Sequence, residues 1–171
     1  MHELVRLQST DAADLHDFLT RADLTLSGLD APSVRLWLLR DRDGRVQGST
    51  GFELSGDGRH ALVRSVAVDP DRRGQGLGLR LAQFALTQAR RESAERAWLF
   101  SRRSGPFWRR LGFEPADRAV MAEVLAGTHQ VKLFRRTGQL EDEVAWSRAL
   151  DDLSAPEELL RERATLDAGT P

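Results

Sequence analysis

The run Asp69-Pro70-Asp71-Arg72-Arg73-Gly74-Gln75-Gly76-Leu77-Gly78-Leu79 carries the clearest chemistry in this chain. Three glycines at every second position leave backbone N–H groups uncovered where an amphipathic helix begins. The first N–H groups of a helix have no partner within it, and its dipole is positive at that end. Together they make a seat for phosphate, and Arg72 and Arg73 add charge to it. A dinucleotide fingerprint would read G-x-G-x-x-G and end a second parallel strand on an acidic residue; neither is present. A P-loop would need Gly-Lys-Ser/Thr, also absent. A helix start with no ligand is the plain alternative, but three glycines sacrifice helix propensity with no packing reason.

The chemistry that is missing narrows the field. The chain has 171 residues with no cysteine and no tyrosine. Disulfides, thiolate metal sites and cysteine nucleophiles are therefore excluded. His2, His16, His60 and His129 lack ligand spacing, so no metal site is expected. Net charge is −1, which argues against a general nucleic-acid binder. No apolar run is long enough to span a bilayer, and no signal-peptide pattern opens the chain. These features lead to the expectation of a cytoplasmic protein with no membrane partner.

The elements that must position the loop follow from pattern. Glu3–Leu7 alternates as a first strand, and Ser9-Thr10-Asp11 can cap a helix over 12–22 with Leu15, Phe18 and Leu19 on one face. Val34–Arg40 and Arg45–Leu54 read as strands joined by the turn Asp41-Arg42-Asp43-Gly44. A second turn, Ser55–Gly58, leads to a strand over His60–Val68. After the glycine loop, a helix over 76–92 places Leu77, Leu81, Phe84, Ala85 and Gln88 at helical spacing. Ala97–Phe100 is a short apolar strand. Pro106 opens a brief helix that Gly112 ends. Phe113–Pro115 starts a strand, Val120–Leu125 reads as helix, and Val144–Arg148 reads as a last strand. The pattern predicts an α+β domain over 1–150, with a central mixed, mostly antiparallel sheet of about six to seven strands and helices on both faces. Residues 151–171 read as a polar tail with a short helix at Pro156–Arg163.

At this point the residues resemble a known family. Arg73-Gly74-Gln75-Gly76-Leu77-Gly78 matches the R-x-x-G-x-G/A signature of the GNAT superfamily of acetyl-CoA-dependent N-acetyltransferases. Ser65-Val66-Ala67-Val68-Asp69-Pro70 resembles its central strand and turn, and Gly105–Glu114 its second motif. The resemblance implies acetyl-CoA as co-substrate, with no metal. It places the pyrophosphate on backbone N–H groups of Arg73, Gly74, Gly76, Gly78 and Leu79, within a loop that includes Gln75 and Leu77. It lays the pantetheine arm along Val66, Ala67 and Val68, with the Val68 N–H as oxyanion donor. Ser104, Phe107 and Trp108 would flank the cofactor. The central strand would splay from Ala97–Phe100 to form the cleft.

The acceptor side is less determined. Many family members place a tyrosine where this chain has Trp108, and indole cannot act as a general acid. Departure as thiolate, or protonation through water, is the simplest account. Glu53 is the expected base, acting through water, with Phe52 and Leu54 facing the other side of the sheet. Its alternative is a surface glutamate paired with Arg64. Arg64 alternates onto the face of Leu62 and Val66, where it either binds an acceptor carboxylate or serves as that partner. Leu62–Val68 and Val124–Phe134 resemble arsenic-resistance N-acetyltransferases and, less closely, the acetyltransferase domain of N-acetylglutamate synthases. The cysteine-proline ending of the arsenic-resistance branch is missing. That likeness implies a small amino acid held by Arg64, with Thr128, His129 or Lys132 near its other end.

The reading is thus acetyl transfer by direct attack of a small-molecule primary amine, of an amino acid or similar compound. Two alternatives stand beside it: a protein or peptide N-acetyltransferase, and a non-catalytic acyl-CoA-binding regulatory module. Homodimerisation is left open, with Trp146 either core or interface.

Overall fold

The structure, a computed structural model, describes residues 4–153. Strand β1 (Leu4–Arg6) leads through a 3-10 turn to α1 (Ala12–Arg21), then to β2 (Val34–Arg40), β3 (Val46–Leu54) and β4 (His60–Val68). The glycine loop follows, then α2 (Leu77–Arg91), β5 (Arg96–Phe100), α3 (Gly105–Arg110), β6 (Glu114–Pro115), α4 (Arg118–Val124), α5 (His129–Thr137) and β7 (Ala145–Ala149). The strands form one seven-stranded sheet in the order β1-β2-β3-β4-β5-β7-β6. Among the described residues only β4 and β5 pair in parallel. The predicted α+β class, mixed sheet and helices on both faces are all present. Glu3 and the expected helix at 156–163 lie outside the described residues.

Alternation sorts the two faces. Trp37, Phe52, Ala61, Val63 and Leu99 pack under α2 through its small residues Ala82, Ala85 and Ala89. Leu36, Leu38 and Ala67 pack under Leu15, Phe18 and Leu19 of α1. Farther along that second face, Leu62, Trp98 and Ala145 meet α4 and α5 through Met121, Leu125 and Val131. The buried face of α2 is Leu81, Ala82, Ala85, Leu86 and Ala89, so the expected Leu77 and Gln88 sit at its margin. Trp146 is a core residue whose indole N–H donates to the Ser101 carbonyl at 2.9 Å.

Both hairpin turns form as their residues dictate. Asp41 Oδ1 accepts from the N–H groups of Asp43 and Arg45, and Gly44 takes φ +80°. In the second turn, Asp57 Oδ1 accepts from the Ser55 hydroxyl at 2.6 Å and from the Arg59 N–H at 3.0 Å. The Ser55 hydrogen bond, followed by that from Arg59, holds the Asp57 carboxyl below its ordinary value. A carboxyl depressed on folding adds stability above its unfolded pKa of about 4 and loses it as pH falls through the lower folded value. Asp57→Asn is therefore expected to lower Tm at pH 7, with the deficit shrinking as thermal melts are taken into acid.

Candidate active site

The site begins where the sheet comes apart. Strands β4 and β5 pair only through His60–Arg96, Ala61–Ala97 and Leu62–Trp98. Beyond Leu62 they diverge, and a cleft of about 570 Å³ opens between them. Its lining includes Arg64, Val66, Ala67, Val68, Arg73, Gly78, Ser104, Phe107 and Trp108, all expected from the sequence. Arg64 and Arg73 are its charged residues, and no carboxylate borders it among the described residues.

A bulge in β4 shapes the cleft wall. Ser49 opposes Ala67 and Gly51 opposes Arg64, so β4 carries an extra residue there. Ser65 takes φ +59°, a left-handed conformation costly for a residue with a Cβ. The bulge corrects the simple alternation: Arg64 stays on the face of Leu62, but Val66 turns to the α2 side with Val63. Ala67 then faces α1. Past the bulge, the Asp69 N–H donates to the Gln47 carbonyl at 2.9 Å, in register with Gly48–Val68 and Ser49–Ala67. Every second N–H in an antiparallel ladder points to the partner strand, so that of Val68 points away from β3, toward the gap.

The loop at the cleft's end has the form its glycines allow. Gly74 and Gly76 take φ +78° and +73°. Gly76 is the N-cap of α2, which therefore begins at Leu77. An added Cβ on Gly78 would lie 3.7 Å from Val68 Cγ2 and 3.8 Å from Phe107 Cε2, so this turn of α2 sits directly over the cleft wall. The side chains of Gln75 and Leu77 turn instead to a separate hollow beside Leu39 and Arg80. Ser104 occupies the N-cap of α3 without a side-chain cap bond; the Ser101 hydroxyl accepts its N–H at 3.1 Å.

Glu53 is where the structure departs most from the sequence reading. It faces away from Phe52 and Leu54 as expected, but it is 0% exposed and does not border the cleft. Its Oε1 accepts from the backbone N–H of His129 at 2.7 Å, from His129 Nδ1 at 2.7 Å and from the Ser33 hydroxyl at 3.4 Å. Its Oε2 accepts from Arg64 Nη1 at 3.3 Å. A carboxylate so enclosed cannot take a proton from substrate directly. Neither is it the surface residue of the alternative reading. Arg64 is both Glu53's partner and a wall of the cleft, and its Nη2 donates to the Thr25 carbonyl at 3.3 Å. Burial pushes the Arg64 guanidinium below its ordinary value, and the Glu53 charge and hydrogen bond oppose that.

Two expected acceptor residues are corrected. The Thr128 hydroxyl is buried and capped on itself: it donates to the Leu125 carbonyl at 2.6 Å and accepts the Val131 N–H as N-cap of α5. Lys132 is exposed on the outer side of α5 and does not border the cleft. In their place α5 supplies Gln130, and the stretch before β2 supplies Leu24 and Thr25. Helical spacing of Gln130, Val131 and Phe134 was the available signal for α5. The 22–33 stretch offers no periodicity to read.

Among the described residues no helix is long and apolar enough to cross a membrane, and no group of three or more His, Asp or Glu is placed to hold a metal. The fold is shared with solved acetyltransferases. N-acetylglutamate synthase from Neisseria gonorrhoeae, complexed with coenzyme A and N-acetyl-glutamate, aligns at TM-score 0.69 and 20% identity over 88% of this chain. The chain spans 35% of that protein's length. A GNAT-family acetyltransferase from Staphylococcus aureus MU50 aligns at TM-score 0.69 and 12% identity, covering 88% of this chain and 100% of the other. A Mycobacterium tuberculosis protein in complex with CoA and NLQ aligns at TM-score 0.68 and 18% identity, covering 86% and 98%. No curated protein matches the sequence. The sequence itself matches the acetyltransferase (GNAT) family over residues 1–113, which include the β4 bulge, the glycine loop and the Phe107–Phe113 turn. With the loop, the parted strands and that match in agreement, this chain belongs to the acetyltransferase (GNAT) family.

Proposed function

We propose that the protein transfers the acetyl group of acetyl-CoA directly to a primary amine of a small molecule, an amino acid or amino-acid-like compound. The observation that carries this reading is the parting of β4 from β5 after Leu62, which opens the cleft beside the glycine loop. The N–H groups of Arg73, Gly74, Gly76, Gly78 and Leu79, with Gln75 and Leu77 completing the loop, hold the pyrophosphate at the α2 N-terminus. Val66, Ala67 and Val68 align the pantetheine arm, and the Val68 N–H stabilises developing charge on the carbonyl oxygen. Ser104, Phe107 and Trp108 close the far wall. The acetyltransferase domain runs through β7 to Leu150, which is buried in its core.

The acceptor enters on the Arg64 side. A wall bearing arginine and lacking carboxylates suits a small polar amine better than a basic peptide. Glu53 serves as a positioning residue. An ionised carboxylate only accepts, so His129 Nδ1 carries the shared proton; in the neutral ring Nε2 is then the accepting nitrogen. His129 is 38% exposed at its side chain and does not itself border the cleft, so a proton that it takes from the amine must travel through water. Glu53→Gln is expected to lower kcat about 10²-fold while leaving KM for acetyl-CoA unchanged, read in a thiol-release assay. An unaltered kcat removes Glu53 and His129 from the proton path.

Coenzyme A should raise the melting temperature. Absence of a shift would refute the cofactor assignment. The enclosure of Glu53 and the absence of a tyrosine to act as general acid favour the non-catalytic module. That reading predicts a coenzyme A shift with no thiol released from acetyl-CoA by any amine or peptide.

A further inference from the structure

Three buried side-chain atoms, on residues that line the cleft, have no hydrogen-bond partner: Arg64 Nε, Ser65 Oγ and Gln130 Oε1. Their residues are 4%, 7% and 9% exposed. Unpaired polar atoms are rare in protein interiors, and three around one cavity require an explanation. Two of these residues are linked through a third. Arg64 Nη2 donates to the Thr25 carbonyl and Gln130 Nε2 to the Thr25 hydroxyl, each at 3.3 Å, so the two side chains flank a single residue. Ser65 lies next to Arg64, held at φ +59° by the bulge.

We propose that this corner binds an uncharged acceptor group that both accepts and donates hydrogen bonds, a carboxamide in its simplest form. The proposal rests on the reading that the cleft takes an amine acceptor, and it specifies what that acceptor must carry beside its amine. The charge of Arg64 is already compensated by Glu53, with the two side chains 1% and 0% exposed. Arg64 spends two of its five N–H groups on Glu53 and Thr25, so Nε–H and one N–H on each Nη remain, and what Gln130 offers is the acceptor Oε1. A carboxamide oxygen takes the Arg64 Nε–H while its NH₂ donates to Gln130 Oε1. The Ser65 hydroxyl donates or accepts as the ligand requires. A carboxylate can meet Arg64 but has no donor for Gln130 Oε1. It also brings its charge to the guanidinium that Glu53 already neutralises. An apolar group leaves all three atoms unpaired.

The test uses three primary amines on one carbon skeleton, ending in a carboxamide, a carboxylate or an apolar group of the same shape. Thiol release from acetyl-CoA is expected to give the carboxamide a kcat/KM at least about tenfold above either of the others. In Gln130→Met, of nearly the same shape, the carboxamide-to-apolar ratio should fall to about twofold or less. The coenzyme A thermal shift of that variant reports that it is folded. A carboxylate preference in the wild-type protein overturns the proposal, as does a ratio unchanged in Gln130→Met. If no amine is turned over, the function proposed above fails separately. The same compounds are then compared by thermal shift of the coenzyme A-loaded protein. Stabilisation by the carboxamide above the other two supports this site, and equal or carboxylate-led stabilisation refutes it.

Discussion

Glu53→Ala is expected to destabilise the protein by about 3–5 kcal/mol, the cost of removing one partner of a buried ion pair. The substitution strands several donors at once. Arg64 Nη1, the Ser33 hydroxyl, and the His129 backbone N–H and Nδ1 all converge on this one carboxylate. Arg64 cannot escape to water, because its side chain is closed in beneath Thr25. For a chain of this size the loss corresponds to a fall in Tm of about 6–20 °C. Glu53→Gln keeps the shape and an accepting oxygen but not the charge, so its Tm should lie between those of the wild type and Glu53→Ala. Thermal melts of the three proteins decide the matter. A fall of less than about 2 °C for Glu53→Ala would mean that the cluster does not tie β3, β4, α5 and the 22–33 stretch together.

Gly78→Val is expected to weaken coenzyme A binding by about a hundredfold or more while the fold survives. A methyl at Gly78 would make ordinary contacts with Val68 and Phe107, but a branched side chain would project between them into the cleft. Gly78→Ala is the control. It removes helical glycine, whose cost relative to alanine is about 1 kcal/mol, and should raise Tm in the absence of ligand. The pair separates stability from binding, because neither change touches the core beneath α2. Calorimetric titration with coenzyme A checks it. Full affinity in Gly78→Val would place the cofactor elsewhere.

The glycine loop and its neighbouring turns were legible because their signal is local. Gly74, Gly76 and Gly78 declare a left-handed entry and an open helix start within a few residues, and Pro106 and Gly112 bracket α3 in the same way. The strands and hairpins were legible for the same reason, from alternation and turn residues. The Arg64 side of the cleft is assembled from distant parts. Glu53 and His129 are 76 residues apart, and Thr25 and Gln130 are 105. No spacing rule reports such contacts. The bulge at Ser65 is invisible to alternation because Leu62–Val68 reads as an unbroken strand, and it reverses where Val66 points. Thr128 and Lys132 were misplaced because α5 was not distinguished from the loop before it. Once α5 begins at His129, Thr128 becomes its cap and Lys132 falls on its outer face.

The most direct test of the account is thiol release from acetyl-CoA across a panel of small primary amines, including amino acids and their amides. Saturable, amine-dependent release that coenzyme A inhibits in competition with acetyl-CoA is the result predicted. Stabilisation by coenzyme A with no release from any amine would contradict the assignment of this cleft as a site of acetyl transfer.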